Sequence, residues 1–460
     1  MIKNYLPVLA VATSLVFMQS CNSTKTANES TGSLSLMVVD PGHFHAALVQ
    51  KSMYEAIDPH VHVYAPAGPD VQAYLDKINQ YNSREENPTS WEEKVYTSDD
   101  FFEKMLKDKP GNVVVLAGNN QKKTSYIKQS VDAGLNVLAD KPMAIDAQGF
   151  ALLREAFASA EKNNVLLYDI MTERYEITNA LQRELAQLPE VFGELQKGTL
   201  EEPAVVKESI HHIFKYVSGA PLVRPSWFFD VKQQGEGIVD VTTHLVDLIQ
   251  WASFPETPLD YRKDVQILSA RRSPTKMTPS QFKLVTQADE YPSYLAQNVK
   301  DSTLSVYANG EINYTLKGIH ARVIVKWNFR APEGTGDTHY SIMRGSKANL
   351  VIRQGKEQNF KPVVYIEPIN PGADYEKTLQ QQVAQIESKY PGVELKKNDK
   401  GWQLVIPDRY EVGHEAHFGQ VAEKYMEYLK DGKLPAWEVP NMITKYFTTT
   451  QALEKATTVE

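Results

Sequence analysis

The 460-residue chain contains one cysteine, Cys21, so its body has no second thiol with which to form a disulfide. It also contains no run of three or more lysines and arginines, and its formal net charge is -8. A chain of this charge lacks the basic surface that attracts nucleic acid, so we expect no nucleic-acid partner. Beyond the first twenty or so residues, no apolar run is long enough to cross a bilayer. These absences favour a soluble body.

The N-terminal residues have the pattern of an export signal. Lys3 supplies a positive charge, and Leu6 to Met18 form an apolar run too short to span a bilayer comfortably. The run ends near Cys21, and a polar linker follows over residues 22–33. This pattern resembles a bacterial lipoprotein signal over residues 1–21, with Cys21 as the lipidated residue. A plain cleaved signal is the alternative. We expect an exported body, held by lipid on the periplasmic side of the cell envelope.

From residue 34, apolar runs alternate with helical stretches, which is typical of βαβ units on a parallel sheet. The predicted strands are 34–39, 60–65, 94–97, 112–117, 136–139 and 165–169. The predicted helices lie near 44–57, 69–81, 98–108, 121–133 and 147–162. Six such strands indicate an α/β, doubly wound nucleotide-binding domain over residues 34–169.

The pattern changes after residue 169. A predicted helix near 173–188 precedes longer strands at 195–200, 204–212, 264–271, 303–308, 311–316 and 320–329. Asn309-Gly310 lies between two alternating runs and predicts a tight hairpin. The remaining features are an insertion over about 355–411 with a helix at 376–390, and terminal helices at 412–429 and 441–456. We expect residues 170–460 to form an α+β domain with an open, mostly antiparallel sheet.

Two short segments carry groups suited to proton-coupled hydride transfer. Lys141 follows a predicted buried strand, at the edge where open α/β sheets bind ligands. Asp240 and His244 lie four residues apart, so they share a face if they are helical. An imidazole is a good general base near neutral pH, and an ammonium group can stabilise an alkoxide. We predict a catalytic role for all three; a surface lysine and a buried structural histidine are the alternatives.

A Lys-Pro pair after a strand, followed about a hundred residues later by Asp and His four apart, resembles the Gfo/Idh/MocA oxidoreductase family. The resemblance covers most of the chain from Leu34 onward. It implies a Rossmann domain with NAD or NADP, and a bond before Pro142 that is commonly cis. It further implies contacts to the nicotinamide ribose from Asn119 and Asn120. Relatives often dimerise through the sheet of the second domain, so a homodimer is expected.

The nucleotide loop departs from the family pattern Gly-x-Gly-x-x-Gly. Here the six residues run from Asp40 to His45, and only the middle glycine, Gly42, remains. Asp40 places a negative charge where phosphates would approach. We still expect cofactor contacts from this segment, with the ring N–H groups of two histidines replacing lost backbone donors. The predicted cofactor residues are Gly42, His43, Phe44, His45, Asn119, Asn120, Lys141 and Pro142.

The histidines also raise the question of a metal. His43 and His45 lie two residues apart, as do His60 and His62, but no cysteine or His-Glu-x-x-His motif accompanies them. We therefore expect no metal. The resemblance places substrate on the second-domain sheet and at the cleft edge, and the residues predicted to contact it are Arg174, Tyr175, His212 and Trp227.

Taken together, the sequence predicts an NAD(P)-dependent oxidoreductase that acts on a sugar or glycoside. His244 would take the hydroxyl proton and Lys141 would stabilise the alkoxide. Because nicotinamide is scarce outside the cytoplasm, we expect the cofactor to be tightly bound. One alternative is an NAD-dependent glycosidase that oxidises the ring, eliminates the aglycone and reduces the product. Another is a non-catalytic sugar-binding lipoprotein on a degenerate dehydrogenase fold.

Overall fold

The structure is a computed structural model that describes Met1, residues 34–217 and residues 220–459. The predicted export signal, the linker and Cys21 lie outside the described residues. Within the described part of the chain, no helix is both long enough and apolar enough to cross a membrane.

The first half folds around a six-stranded parallel sheet. Its strands are β1 (Leu36–Val39), β2 (His60–Ala65), β3 (Glu92–Thr97), β4 (Val113–Leu116), β5 (Asn136–Asp140) and β6 (Leu167–Ile170). The connecting helices are α1 (His45–Leu48), α2 (Pro69–Ser83), α3 (Phe101–Asp108), α4 (Lys123–Asp132) and α5 (Ala147–Asn163). The strand order is β3-β2-β1-β4-β5-β6. The order reverses between β1 and β4, which is where such sheets bind ligands.

This sheet confirms the predicted doubly wound domain, because each predicted strand is present with shifts of a few residues at its ends. The first helix is much shorter than predicted. It ends at Leu48, and the carbonyl oxygen of the buried Gln50 accepts a hydrogen bond from the Trp91 indole at 2.7 Å. That contact anchors the chain in the core just after the helix ends.

The second half is built on an eleven-stranded mixed sheet and a short two-stranded ribbon. The strands are β7 (Val205–Phe214), β8 (Tyr216–Val217), β9 (Ala220–Pro221), β10 (Val265–Met277), β11 (Val299–Lys300), β12 (Thr303–Leu316), β13 (Ile319–Arg330), β14 (Thr338–Arg344), β15 (Ala348–Arg353), β16 (Val363–Pro368), β17 (Glu394–Asn398), β18 (Gly401–Val405) and β19 (Thr457–Thr458). The order is β17-β18-β16-β15-β14-β7-β13-β12-β10-β19, with β11 beside β12. Only the pairs β7–β13 and β10–β19 are parallel, as expected for a mostly antiparallel sheet.

Helices cover this second sheet and connect it to the first. They are α6 (Ile177–Ala186), α7 (Thr242–Ser253), α8 (Tyr261–Asp264), α9 (Pro279–Thr286), α10 (Tyr375–Lys389), α11 (His414–Asp431) and α12 (Glu438–Lys455). The predicted terminal helices and the helix near 376–390 are confirmed. Phe418 and Tyr425 of α11 and Tyr446 of α12 are buried in the core of the parallel sheet. The C-terminal helices therefore pack the second half of the chain onto the first.

Three predictions for the second half are wrong, and the first two concern a strand and a helix. The segment 195–200 forms only isolated bridges, and the predicted helix near 173–188 is split into a 3-10 turn at Thr172–Tyr175 and α6. Between the two segments, the Glu176 side chain accepts hydrogen bonds from the backbone N–H groups of Thr178 and Asn179, so it caps the N-terminus of α6.

The predicted hairpin at Asn309-Gly310 is also wrong, because both residues lie inside the single long strand β12. The turn that follows is at Lys317 and Gly318, both with positive φ. The Asn309 amide donates to the carbonyl oxygen of Ser273 at 3.1 Å and bridges a bulge in β10.

Gly310 is required for close packing instead of a turn. A Cβ atom there would lie 2.7 Å from the Cβ of Ile238, which belongs to the segment leading into α7.

Candidate functional site

A cavity of about 720 Å³ lies at the carboxyl end of the parallel sheet, against one face of the second sheet. The loop after β1, the end of β5, the start of α7 and strands β7, β13 and β14 contribute to its lining. Lys141, Asp240 and His244 all line it. The structure therefore brings the three predicted catalytic residues together, although they come from segments about a hundred residues apart.

Lys141 follows β5 directly, and its bond to Pro142 is cis. Its Nζ donates to Asp240 Oδ1 at 2.5 Å. Burial alone would lower the pKa of Lys141, but the charges of Asp240 and Asp140 raise it above its ordinary value. The lysine is therefore an ammonium ion at neutral pH, aimed into the cavity.

Asp240 lies in the turn that precedes α7 and is 5% exposed. It accepts from Lys141 and, at 3.2 Å, from the side-chain amide of Gln234. Burial would raise the pKa of Asp240, but the Lys141 charge and these hydrogen bonds hold it below its usual range. Asp240 is thus an ionised partner that fixes the lysine in position.

His244 lies in the first turn of α7. Burial, followed by the charge of Lys141, lowers its pKa to about 4. Its Nδ1 atom is buried and has no hydrogen-bond partner among the described residues. The imidazole is therefore neutral at working pH, which is the state of a general base.

The cavity is also lined by Glu173 and His414, an ionisable pair that the sequence did not predict. Glu173 lies in the 3-10 turn after β6, and its Oε1 is 3.5 Å from His414 Nδ1 at the start of α11. Burial would raise the pKa of Glu173, but the hydrogen bond from His414 and the charge of His244 hold it well below its ordinary value. More than 200 residues separate the pair, so no local motif could reveal it.

On the second sheet, the cavity is lined by His211 and not by the predicted His212. Successive side chains of a strand point to opposite faces, and β7 turns His212 away. Asp337 lies close to both rings, 3.1 Å from His212 Nδ1 and 3.2 Å from His211 Nδ1, but it is the His211 ring that stacks on Trp327, with centroids 4.9 Å apart. The predicted contact by His212 is therefore reassigned to its neighbour.

A buried lysine lines the same wall. Lys207 Nζ donates to Asn179, Gln182 and Ser341, all neutral oxygen acceptors, at 3.0–3.3 Å. Burial lowers its pKa to about 7. Lys207 can therefore change its protonation state near neutral pH within the cavity.

A second cavity of about 680 Å³ adjoins the nucleotide loop, the end of β2 and the start of α2. The loop satisfies its own donors: Gly42 N–H donates to the Asp40 carbonyl at 2.8 Å, and His43 N–H donates to the Ala117 carbonyl at 3.1 Å. Burial, followed by the charge of Asp70, raises the pKa of Asp40 to about 6. The loop therefore offers fewer backbone donors, and more negative charge, than a glycine-rich loop.

Trp227 lines this second cavity instead of the predicted sugar site. Its Nε1 donates to Asp70 Oδ2 at 2.7 Å, and a Cβ atom on Gly42 would lie 3.1 Å from its ring. Gly42 therefore allows the indole to approach the loop. We reassign Trp227 from the substrate to the nucleotide side.

The two loop histidines differ in position: His43 lines the second cavity as well as the first, and His45 does not. His45 Nδ1 lies 2.9 Å from Asp140 Oδ2, and His45 lines only the first cavity. Among the described residues, His43, Phe44, Arg224 and Phe228 line both cavities. Arg224 is therefore a buried cation at their junction, in a better position than His45 to meet a bound anion.

Comparison with known proteins decides the family. Residues 58–169 match the model described as "Oxidoreductase family, NAD-binding Rossmann fold", and residues 181–457 match "Putative oxidoreductase C terminal domain". A "putative oxidoreductase" structure from Parabacteroides merdae is 57% identical, with a TM-score of 0.90, over 92% of this chain and 97% of that one. The chain belongs to the Gfo/Idh/MocA oxidoreductase family.

More distant structures share the fold. A 3-ketoreductase from Actinomadura kijaniata, in complex with NADP and TDP-benzene, is 13% identical with a TM-score of 0.56, over 93% of this chain and 98% of that one. Levoglucosan dehydrogenase, in complex with NADH and levoglucosan, is 13% identical with a TM-score of 0.58, over 92% of this chain and 96% of that one. Among curated proteins, none matches this chain.

Membership of the Gfo/Idh/MocA family makes NAD or NADP the cofactor, and the residues at the β4 end fit it. Asn120 lines the first cavity, and its Oδ1 is buried with no partner among the described residues. Its Nδ2 donates a hydrogen bond to the Gln234 carbonyl oxygen at 2.7 Å, so Oδ1 can accept a hydrogen bond from a ligand. Asn119 instead donates a hydrogen bond to the Gln233 side chain at 2.7 Å and does not line the cavity. Of the two predicted asparagines, we therefore retain Asn120 as a direct contact of the cofactor.

Arg174 and Tyr175 do not line the cavity of this Gfo/Idh/MocA protein. The Arg174 guanidinium donates two hydrogen bonds of 2.7 Å to Asp247 and one of 2.9 Å to Glu438. Asp247 also accepts from Lys445 at 2.9 Å. We therefore reassign Arg174 to a buried ion network between α7 and α12, and Tyr175 packs against the core of the parallel sheet.

Proposed function

We propose that the chain is an oxidoreductase that transfers hydride between NAD(P) and a carbon of a sugar or glycoside. The observation that carries the proposal is the convergence of Lys141, Asp240 and His244 on one cavity beside the unpartnered Asn120 oxygen. The structural similarity to levoglucosan dehydrogenase in complex with NADH and levoglucosan supports the carbohydrate class.

His244 acts as the general base of this reaction. Its neutral ring accepts the proton of the substrate hydroxyl, and the depressed pKa keeps it unprotonated until a substrate arrives. The resulting imidazolium lies near the Glu173 carboxylate, whose charge favours its formation. Glu173 therefore stabilises the protonated His244 by its charge, while His244 holds the proton.

Lys141 stabilises the alkoxide that forms as the proton leaves. Its ammonium group is fixed by Asp240, so it need not reorganise during the reaction. NAD(P)+ supplies the hydride acceptor when bound, with Asn120 and Arg224 as the residues that would hold it. The wall formed by His211, Trp327 and Lys207 offers the stacking surface and polar groups that bind a sugar ring.

Oxidative glycoside cleavage is the second candidate, and the Glu173–His414 pair supports it. Elimination needs a base for the proton next to the new ketone and an acid for the leaving oxygen. A carboxylate and an imidazole 3.5 Å apart in the same cavity can supply both. We further propose that the body is anchored to the cell envelope through Cys21, so that it meets glycosides outside the cytoplasm.

The decisive experiment incubates the purified protein with NAD+ or NADP+ and a panel of free sugars and glycosides. The nicotinamide absorbance and the products are measured together. Stoichiometric reduced cofactor and a ketosugar support dehydrogenation, whereas a released aglycone without net cofactor reduction supports oxidative cleavage. Sugar binding with no nucleotide binding would overturn both and favour a binding protein. Lys141→Met serves as the inactive control.

A further inference from the structure

Three side chains of metal-ligating type meet on the cavity wall, and the proposed reaction uses none of them. His43 and His45 come from the loop after β1, and Asp140 is the last residue of β5. One ligand atom of each lies within 4.8 Å of the other two. The cluster is therefore formed by the fold, from segments 95 residues apart.

The distances suit a small metal ion. His45 Nδ1 lies 2.9 Å from Asp140 Oδ2, and His43 Nδ1 lies 3.9 Å from the same oxygen. Ligands about 2.0–2.1 Å from a tetrahedral ion are separated by about 3.3 Å. The two observed distances lie on either side of this value. Small side-chain rotations would bring the three atoms around one ion, with metal contacts replacing the His45–Asp140 hydrogen bond and the bond from the His45 backbone N–H to His43 Nδ1.

Neighbouring aromatic rings hold both imidazoles in place. The His43 and His45 rings meet edge to face with centroids 4.0 Å apart. Phe44 packs against both of them, at 4.7 and 4.4 Å, and Phe418 of α11 packs against His45 at 4.6 Å. Rings fixed in this way lose little freedom when they bind an ion, which favours binding.

The cluster opens onto the cavity. All three residues line the cavity, so a bound ion would keep positions open toward it.

We infer that His43, His45 and Asp140 bind one divalent transition-metal ion, of the Zn2+ or Fe2+ class, with its open positions facing the cavity. Two imidazoles and one carboxylate match these ions and not Mg2+ or Ca2+, which prefer oxygen ligands alone. The ion would lie next to Lys141 and would polarise a substrate oxygen as a second electrophile. This replaces the expectation of no metal, because the sequence spacing could not show that Asp140 faces the two histidines.

The test measures Zn2+ binding to the metal-stripped protein by calorimetry, without nucleotide or sugar, so it does not depend on the proposed reaction. Wild type should bind one Zn2+ per chain, and its unfolding temperature should rise with Zn2+ and not with Mg2+. His43→Ala and Asp140→Asn should each weaken binding more than about tenfold. Co2+ should give visible ligand-field bands that these variants lose.

His60→Ala is the matched control, because His60 pairs with Asp58 and Glu92 on the exposed end of β2 and is a surface alternative for Zn2+. It should bind as wild type does. If wild type binds no stoichiometric Zn2+, or if His60→Ala abolishes binding while folded His43→Ala and Asp140→Asn retain it, the inference is overturned. Metal analysis of protein taken directly from cells then distinguishes zinc from iron.

Discussion

Lys141 Nζ and Asp240 Oδ1 lie 2.5 Å apart, across the gap between the end of β5 and the turn before α7. The pair joins the two halves of the chain at the site itself. Because both groups are largely buried, each needs the other: a lone buried charge costs about 3–5 kcal/mol. The same contact therefore contributes to both stability and catalysis, and the two contributions can be separated.

We predict that Lys141→Met lowers the free energy of unfolding by about 3–5 kcal/mol and kcat/KM by about 10²–10³-fold. The double variant Lys141→Met/Asp240→Asn should recover most of the stability, because no charge is left unpaired. Its activity should stay low, because the electrophile is still missing. Denaturant unfolding and steady-state kinetics check the two effects. A double variant that regains turnover would contradict a catalytic role for Lys141.

His244→Gln should lower kcat by about 10²–10⁴-fold, the range for loss of a general base. In wild type, the pKa of about 4 keeps His244 neutral. As the pH is lowered, kcat/KM should therefore decrease through protonation of His244 only near that pH, and not near the ordinary histidine pKa. The exposed His60→Gln is the control and should leave the profile unchanged. A His244→Gln profile that keeps the acid limb would assign the limb to another group.

Asp40 has a raised pKa, so its native state holds a proton more tightly than the unfolded chain does. The contribution of Asp40 to the stability of the fold is therefore greatest when Asp40 is protonated, and this contribution is lost as the pH rises from 3.8 through about 6. Asp40→Asn should raise the free energy of unfolding by up to about 3 kcal/mol at about pH 7.5, and by little at about pH 4. Asn suits the positive φ of this position.

Denaturant unfolding at the two pH values checks this expectation. Asp76→Asn, on the exposed side of α2, is the matched control and should change stability by less than about 0.5 kcal/mol at either pH. Equal gains from Asp40→Asn at both pH values would rule out titration of Asp40 as the cause. The same variant should bind NAD(P) more tightly at neutral pH, because one carboxylate no longer repels the phosphates.

The sequence predicted the parallel sheet well because five of its six strands are short, mostly buried runs that local pattern detects; the exception is the exposed edge strand β3. It also predicted Lys141, Asp240 and His244, since their spacing is a family pattern. It missed Glu173 and His414, which meet only through the packing of α11. For His211 and His212 the sequence located the right segment, but which of them faces the cavity depends on the register of β7 between β13 and β14.

The misplaced residues have a common physical cause. Arg174 follows β6 at the cleft edge, but the buried carboxylates of Asp247 and Glu438 occupy its guanidinium. Trp227 is drawn to the nucleotide loop by Asp70. In each case a partner distant in sequence decides where the side chain points, and only the folded chain shows that partner.

The reassignment of Arg174 is testable. Arg174→Met should lower the free energy of unfolding by about 3–5 kcal/mol, because Glu438 would be left buried without its cation. The kcat and KM of the folded fraction should stay within about twofold, since Arg174 does not line the cavity. His211→Ala is the contrasting variant, and loss of its contact should raise KM by about tenfold with a smaller effect on stability. A large rise in KM for Arg174→Met would restore the original prediction of a substrate contact.

Gly310 connects strand β12 with the catalytic turn. A Cβ atom at this position would lie 2.7 Å from Ile238 Cβ and 2.8 Å from its Cα, two residues before Asp240. Gly310→Ala should therefore push the turn outward, destabilise the fold by about 1–3 kcal/mol and lower kcat/KM by about 10²-fold.

Gly318→Ala is the matched control. Gly318 lies in the observed hairpin turn with φ of +83°, and no atom lies within 4 Å of the added Cβ. It should cost about 1 kcal/mol of stability through backbone strain and leave kcat/KM unchanged. Equal kinetic effects of the two substitutions would mean that the contact with Ile238 does not position Asp240.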